Sequence, residues 1–172
     1  MPYGGNDWLD ITKEDIIEPS LPICDPHHHY WDLRVERTPY GRYLLHELLD
    51  DISGHNITST VFIEARAMYN ADIEKDFKPV GEVEFVEGIS AASASGMYGK
   101  SRASASIIGH ANLNLGDRVE PVLQSLLEAS PRRFKGIRHI VAWILTKKSI
   151  LSLFIIRKSK CQQKVLLKEQ KS

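Results

Sequence analysis

The chain has 172 residues, 42% of them hydrophobic and 26% charged, with 22 basic residues against 22 acidic ones. That length allows one ordinary domain with a sizeable core, but falls short of the ~250 residues typical of a closed eight-stranded α/β barrel. Two cysteines, Cys24 and Cys161, exclude a disulfide framework, and the longest apolar run, Ile150 to Ile156, is broken by Ser152 and is far below the ~20 residues of a membrane span.

Residues 1–19 are polar and acidic, with Trp8 and Leu9 as anchors, and read as an arm laid over the domain. The start Met-Pro-Tyr-Gly-Gly-Asn-Asp lacks the basic and apolar regions of a secretory signal, so a cytoplasmic location is expected. Leu21 to Cys24 is an apolar strand signal that runs into Asp25-Pro26-His27-His28-His29-Tyr30-Trp31. Side chains two apart in a strand share a face, which groups Asp25, His27 and His29. Two imidazoles on one face can grip one divalent cation. Cys24 reads as a small apolar filler of a buried strand.

A polar loop with Tyr40, Arg42 and Tyr43 then leads into a helix, where Leu44, Leu45, Leu48, Leu49 and Ile52 recur at helical spacing and Gly54 supplies the stop. Residues 58–65 are mostly apolar, as expected of a strand buried on both faces. Gly81 to Ser95 reads as a second helix with Val83, Val86 and Ile89 inward and Gly96 at its end. The small residues from Ser90 to Ser106 predict a helix end and loop in close backbone contact. A third strand is expected at 106–113. Asp117 and Glu120 form a capping-box-like pattern, followed by a helix burying Val119, Val122, Leu123, Leu126 and Leu127. A fourth strand is expected from about 134 to 141.

Beyond it the composition breaks. Residues 1–142 carry 14 basic and 21 acidic residues, a net −7, whereas residues 143–172 carry eight basic residues and Glu169 alone as acid, a net +7. Such a reversal marks a separate segment. With only Trp143 and Phe154 as aromatics, the tail reads as a solvated extension foreign to the fold rather than a nucleic-acid or membrane contact.

Strands alternating with helices predict a parallel α/β sheet. The motif Asp-x-His-x-His-x-Trp closing the first strand resembles the amidohydrolase superfamily, and is most similar to its amidohydrolase-related branch of metal-dependent barrel hydrolases, which includes lactonases. Thr60-Val61-Phe62-Ile63-Glu64-Ala65, Ile107-Ile108-Gly109-His110-Ala111-Asn112-Leu113 and Phe134-Lys135-Gly136-Ile137-Arg138-His139 resemble that branch's second, third and fourth strands, in order. The likeness covers roughly residues 20–143. It implies the N-terminal half of a (β/α)8 barrel over residues 20–142, with two open sheet edges through which copies could associate.

The resemblance also implies roles. His27 and His29 are the expected metal ligands, with zinc the expected ion. His28 faces away, as a surface or supporting group. Asp25 either orients a histidine or is a turn residue before Pro26. Glu64 either contacts ligand or substrate, or pairs structurally with Arg66. Arg138 is expected to recognise a substrate carboxylate, since guanidinium suits bidentate carboxylate binding, and neighbouring His139 should then face the other way. His110 is expected as a satisfied core histidine. Tyr40 is a further candidate for the substrate. The expected activity is metal-assisted hydrolysis of a lactone or amide in a small-molecule substrate. The family's later-strand histidines and its eighth-strand aspartate have no counterpart here, so no catalytic residue is assigned. This chain is therefore expected to be a truncated and inactive form. A non-catalytic binding module using the basic tail is the alternative.

Overall fold

The computed structural model describes residues 11–12, 14–34 and 40–140. The anchors Trp8 and Leu9 and the basic tail lie outside the described residues. Four strands, β1 (Ile23–His28), β2 (Ile57–Ile63), β3 (Arg102–Gly109) and β4 (Phe134–Ile137), form one sheet in the order β1-β2-β3-β4, all parallel. Three helices connect them: α1 (Leu45–Asp51), α2 (Val80–Ala94) and α3 (Glu120–Ala129), the last preceded by a 3-10 segment at Leu113–Val119. Consecutive strands joined by helices in this order give an α/β fold compatible with half of an eight-stranded barrel.

One core holds the domain together. Tyr30, Phe62 and Ile107 from the sheet are sealed against Leu48 of α1, Val83 and Val86 of α2, and Val122 and Leu126 of α3. Each of these side chains gains ~1.5–3 kcal/mol from full burial. On α2 the buried residues Glu82, Val83, Val86, Ser90 and Ser93 recur every three or four positions, the stripe a helix presents to a sheet. On β2 the buried Thr60 and Phe62 alternate with half-buried Val61 and Ile63. The expected burial of this strand on both faces is therefore corrected: among the described residues, helices cover one face only.

Local chemistry sets the element ends. Glu47 accepts from the Leu44 N–H at 2.8 Å and so caps the start of α1. Gly54 ends that region with φ +86°, and a Cβ there would stand 2.9 Å from Ile16 Cδ1. Gly81, in the first turn of α2, lets the helix approach the loop before it. A Cβ would meet Asn70 N and Met68 O at 2.8 Å.

Several boundaries differ from the sequence reading. The third strand begins at Arg102 rather than 106 and ends at Gly109, because Ser93 binds its first residues: Ser93 Oγ accepts from Ala103 N–H and donates to Ser101 O. The fourth strand stops at Ile137. Asp117 does not cap a helix. It lies within the 3-10 segment, and α3 starts at Glu120 with Pro121 in its first turn, where the missing N–H costs nothing. Leu127 is exposed. Cys24 is exposed too, because it lies on the edge strand β1, which pairs only with β2 among the described residues. No helix among the described residues is long and apolar enough to cross a membrane.

Candidate functional site

Because the strands are parallel, all four C-terminal ends lie at one end of the sheet, the end where parallel α/β folds gather functional groups. Backbone bonds level these ends: Glu64 N–H donates to Ile108 O and Arg138 N–H to Gly109 O, each at 2.8 Å. His27 and His29 leave β1 here, Glu64 leaves β2, His110 follows β3, and Arg138 and His139 follow β4.

His27 and His29 meet as the shared face requires. Their Nε2 atoms are 3.2 Å apart and their rings are edge-on at 4.9 Å. His29 Nδ1 lies 2.7 Å from Ile63 O. A carbonyl only accepts, so Nδ1 carries the proton and Nε2 presents its lone pair toward His27. This is the tautomer of a metal-binding imidazole, held by a backbone carbonyl behind it. Burial pushes the His29 pKa down, with help from His27 and Arg138, so the ring is held neutral. Two nitrogens about 2.0–2.1 Å from a tetrahedral zinc ion stand about 3.3–3.4 Å apart, close to the distance seen. The pair fits a divalent cation, though no group of three or more His, Cys, Asp or Glu residues able to hold one occurs among the described residues.

Asp25 follows the second of the two expectations, the turn residue before Pro26. Its Oδ1 accepts from the backbone N–H of His27 at 3.0 Å, so it fixes the chain entering the motif rather than an imidazole. His28 does face away, but it is buried rather than on the surface. Its Nε2 is 2.8 Å from Thr60 Oγ1 and 3.3 Å from Ser104 Oγ, its ring lies edge-on to Tyr30, and burial lowers its pKa to about 4.

Glu64 is buried, and its partner is Arg138 rather than Arg66. Arg138 Nε donates to Glu64 Oε1 at 3.0 Å and Nη2 donates to the Glu64 carbonyl at 2.6 Å. Arg66 instead holds a left-handed backbone at φ 59°. His110 repeats the geometry of His29: its Nδ1 is 2.9 Å from Arg138 O and donates to that carbonyl. His139 contacts the His110 ring edge-on, and its Nδ1 accepts from Leu113 N–H. Burial, His110 and Arg66 lower the His139 pKa. The Tyr40 carbonyl accepts from Trp31 Nε1 at 2.9 Å, which ties this loop to the end of the first-strand motif. Arg42 is engaged by Glu47 and Tyr43 by Asp51.

Sequence reasoning missed Glu82. Its Oε1 accepts from Ala65 and Ala67 N–H at 2.9 and 2.8 Å, which pins the loop that follows Glu64. Burial, aided by the Glu64 charge, pushes its pKa up to about 7 against the pull of those two N–H groups. The signal lay in the helical pattern: Glu82 stands four residues before Val86 on the inward stripe of α2, where a carboxylate needs a buried partner. The buried hydroxyl of Tyr69, raised by burial and by the Glu82 and Glu64 charges, belongs to the same region.

No protein-family model, curated protein or solved structure matches this chain.

Proposed function

We propose that this chain forms the first four βα units of an amidohydrolase-related barrel, and that His27 and His29 are half of a site for a divalent metal ion, with zinc the expected ion. The observation that carries the reading is the 3.2 Å approach of the two Nε2 atoms, with His29 oriented by Ile63 O. The order of the four strand motifs supports it. A cation held there supplies Lewis-acid chemistry, polarising a carbonyl and activating water. The protein's own groups position the rest. His29 stays neutral through burial, Asp25 fixes the turn of chain into the pair, and Arg138, one-third exposed beside Glu64, offers its guanidinium to a substrate carboxylate at the same end of the sheet.

The substrate class is a lactone or amide of a small carboxylated molecule. Hydrolysis also needs a general base. Glu64 is engaged by Arg138 and Asp25 by His27 N–H, so neither is free for that task. The chain by itself therefore binds metal weakly and is inactive. Zinc titration of the purified chain, with hydrolysis of a sugar lactone measured in parallel, tests both halves of the reading. Weak binding lost in His27→Ala, with no turnover, agrees with it. The absence of any zinc effect on the wild-type histidines would leave the non-catalytic alternative.

A further inference from the structure

His27 and His29 lie on one face of the sheet, while their neighbours His28 and Tyr30 are buried on the other, against the core. Both inward side chains end on the same hydroxyl. Ser104 Oγ lies 3.3 Å from His28 Nε2 and donates to Tyr30 Oη at 3.3 Å. Thr60 Oγ1 completes the cluster. It accepts from the Ser104 N–H at 2.8 Å and lies 2.8 Å from His28 Nε2. Ser104, Thr60 and Tyr30 are fully buried and His28 nearly so. The rings pack as well, with His28 edge-on to Tyr30 and Phe62, and Tyr30 stacked on Phe62. Such a cluster holds one geometry, because a side chain that leaves it abandons a polar partner inside the core.

The backbone is distorted to build this cluster. Where β2 has Thr60 alone between Ser59 and Val61, β3 has Ala103, Ser104 and Ala105 between their partners Arg102 and Ser106. This bulge buries Ala103 and Ser104 together and gives Ser104 a φ of +52°, a left-handed backbone that suits glycine. A second irregularity faces it across β2. Between the pairs Asp25–Thr60 and His28–Phe62, β1 has Pro26 and His27 against Val61 alone. Regular strand pairing therefore does not set the direction of His27, and the anchoring of His28 beside it does. Strain such as that at Ser104 persists only where the surroundings enforce it, and it gathers at functional sites. A serine where glycine would be relaxed marks a task for its hydroxyl.

We infer that Ser104 is a positioning residue for the His27–His29 pair. From the opposite face of the sheet, through His28 and Tyr30, it fixes the stretch of β1 on which both imidazoles stand. This deepens the metal-site reading proposed above and rests on it, but half of its test involves no metal.

Ser104→Gly removes the hydroxyl and relaxes the left-handed backbone, so the domain should stay folded. Nitrogen NMR spectra of the histidine rings in the full chain read the site without metal. In the wild type the bond from His29 Nδ1 to Ile63 O marks a single tautomer. In Ser104→Gly the His29 ring should populate both tautomers, and zinc binding measured by calorimetry should weaken ~10-fold. Tyr30→Phe, which removes one of the two side-chain contacts of Ser104, should move both readouts the same way by less. Ser93→Ala is the control for general destabilisation. It loosens β3 from α2 but should leave the His29 tautomer and the zinc affinity at wild-type values. A wild-type His29 spectrum in folded Ser104→Gly overturns the inference, as does an equal change in Ser93→Ala. If Ser104→Gly does not unfold cooperatively, Tyr30→Phe decides, and a wild-type spectrum there overturns it. A wild-type chain that ignores zinc, yet loses its single His29 tautomer in Ser104→Gly, sinks the metal reading and upholds the positioning.

Discussion

Arg138 reaches across β3 to hold Glu64 twice, through the carboxylate at 3.0 Å and through the main-chain carbonyl at 2.6 Å. The two residues end β4 and β2, so this clamp fixes the spacing of the strand ends that carry the candidate site. Glu64 is 1% exposed, and its second oxygen has no hydrogen-bond partner. Removing the guanidinium therefore strands a buried charge. Arg138→Ala should cost about 2–3 kcal/mol in urea unfolding, below the ~3–5 kcal/mol of a fully buried broken pair, because the arginine is one-third exposed. Glu64→Gln combined with Arg138→Met should cost less than the two single changes added together. Strict additivity would mean the pair is not coupled.

The pH dependence of stability should be the difference of two opposed titrations. Glu82 has its folded pKa raised from 4.5 to about 7, so the folded state holds a proton that the unfolded state has released. Its contribution is present below pH 4.5 and is lost as pH rises to about 7, a loss of about 3 kcal/mol. His28 has its folded pKa lowered from 6.5 to about 4, so the unfolded state binds the proton first. Its contribution is present above pH 6.5 and is lost as pH falls toward 4. His29 and His139 shift the same way as His28. The wild-type curve should thus be shallow between about pH 4.5 and 6.5. Glu82→Gln should leave stability rising with pH in that window, and His28→Gln should tilt the wild-type slope toward falling. Parallel curves for the two variants would show that these groups do not titrate as their burial implies.

Ser93 should matter far more than its size suggests. Its hydroxyl is 1% exposed, accepts from Ala103 N–H at 2.9 Å and donates to Ser101 O at 3.1 Å. Ser93→Ala leaves both backbone groups without a partner and should cost about 1–3 kcal/mol. Ser95→Ala, on the exposed end of the same segment, removes a bond to Ala92 O within its own turn and should cost less than about 0.5 kcal/mol. Equal thermal shifts for the two would remove Ser93 as the tie between α2 and β3.

This contrast explains what could be read from the sequence. Val83 and Val86, and Val122 and Leu126, were legible because apolar burial follows helical period. The His27–His29 encounter was legible because strand alternation is local. The start of β3 was not, since Ala103 and Ser104 join the strand through Ser93, Ser90 and Thr60, contacts that span up to 44 residues. The partner of Glu64 is likewise not legible in the sequence. A nearby arginine, Arg66, is the economical guess from the sequence, but its left-handed backbone comes from the tight loop after β2, and Arg138 arrives only once four strands are aligned. Apolar neighbours make Cys24 read as buried, while its exposure depends on how many strands flank β1.

Zinc affinity gives the most direct reading of the site. Two imidazoles alone fall short of the three or four protein ligands of established zinc centres, so the expected dissociation constant is about micromolar or weaker. His27→Ala and His29→Ala should each abolish the binding, because either leaves one ligand. Asp25→Ala should weaken it less, since Asp25 acts through His27 N–H. Binding should fade as pH drops through the histidine range, and the lowered pKa of His29 keeps that nitrogen available to lower pH than an ordinary imidazole. Calorimetry with the double alanine variant as the blank measures all of this. Tight stoichiometric zinc that survives dialysis against chelator would mean a complete ligand set, and the half-site described here would be wrong.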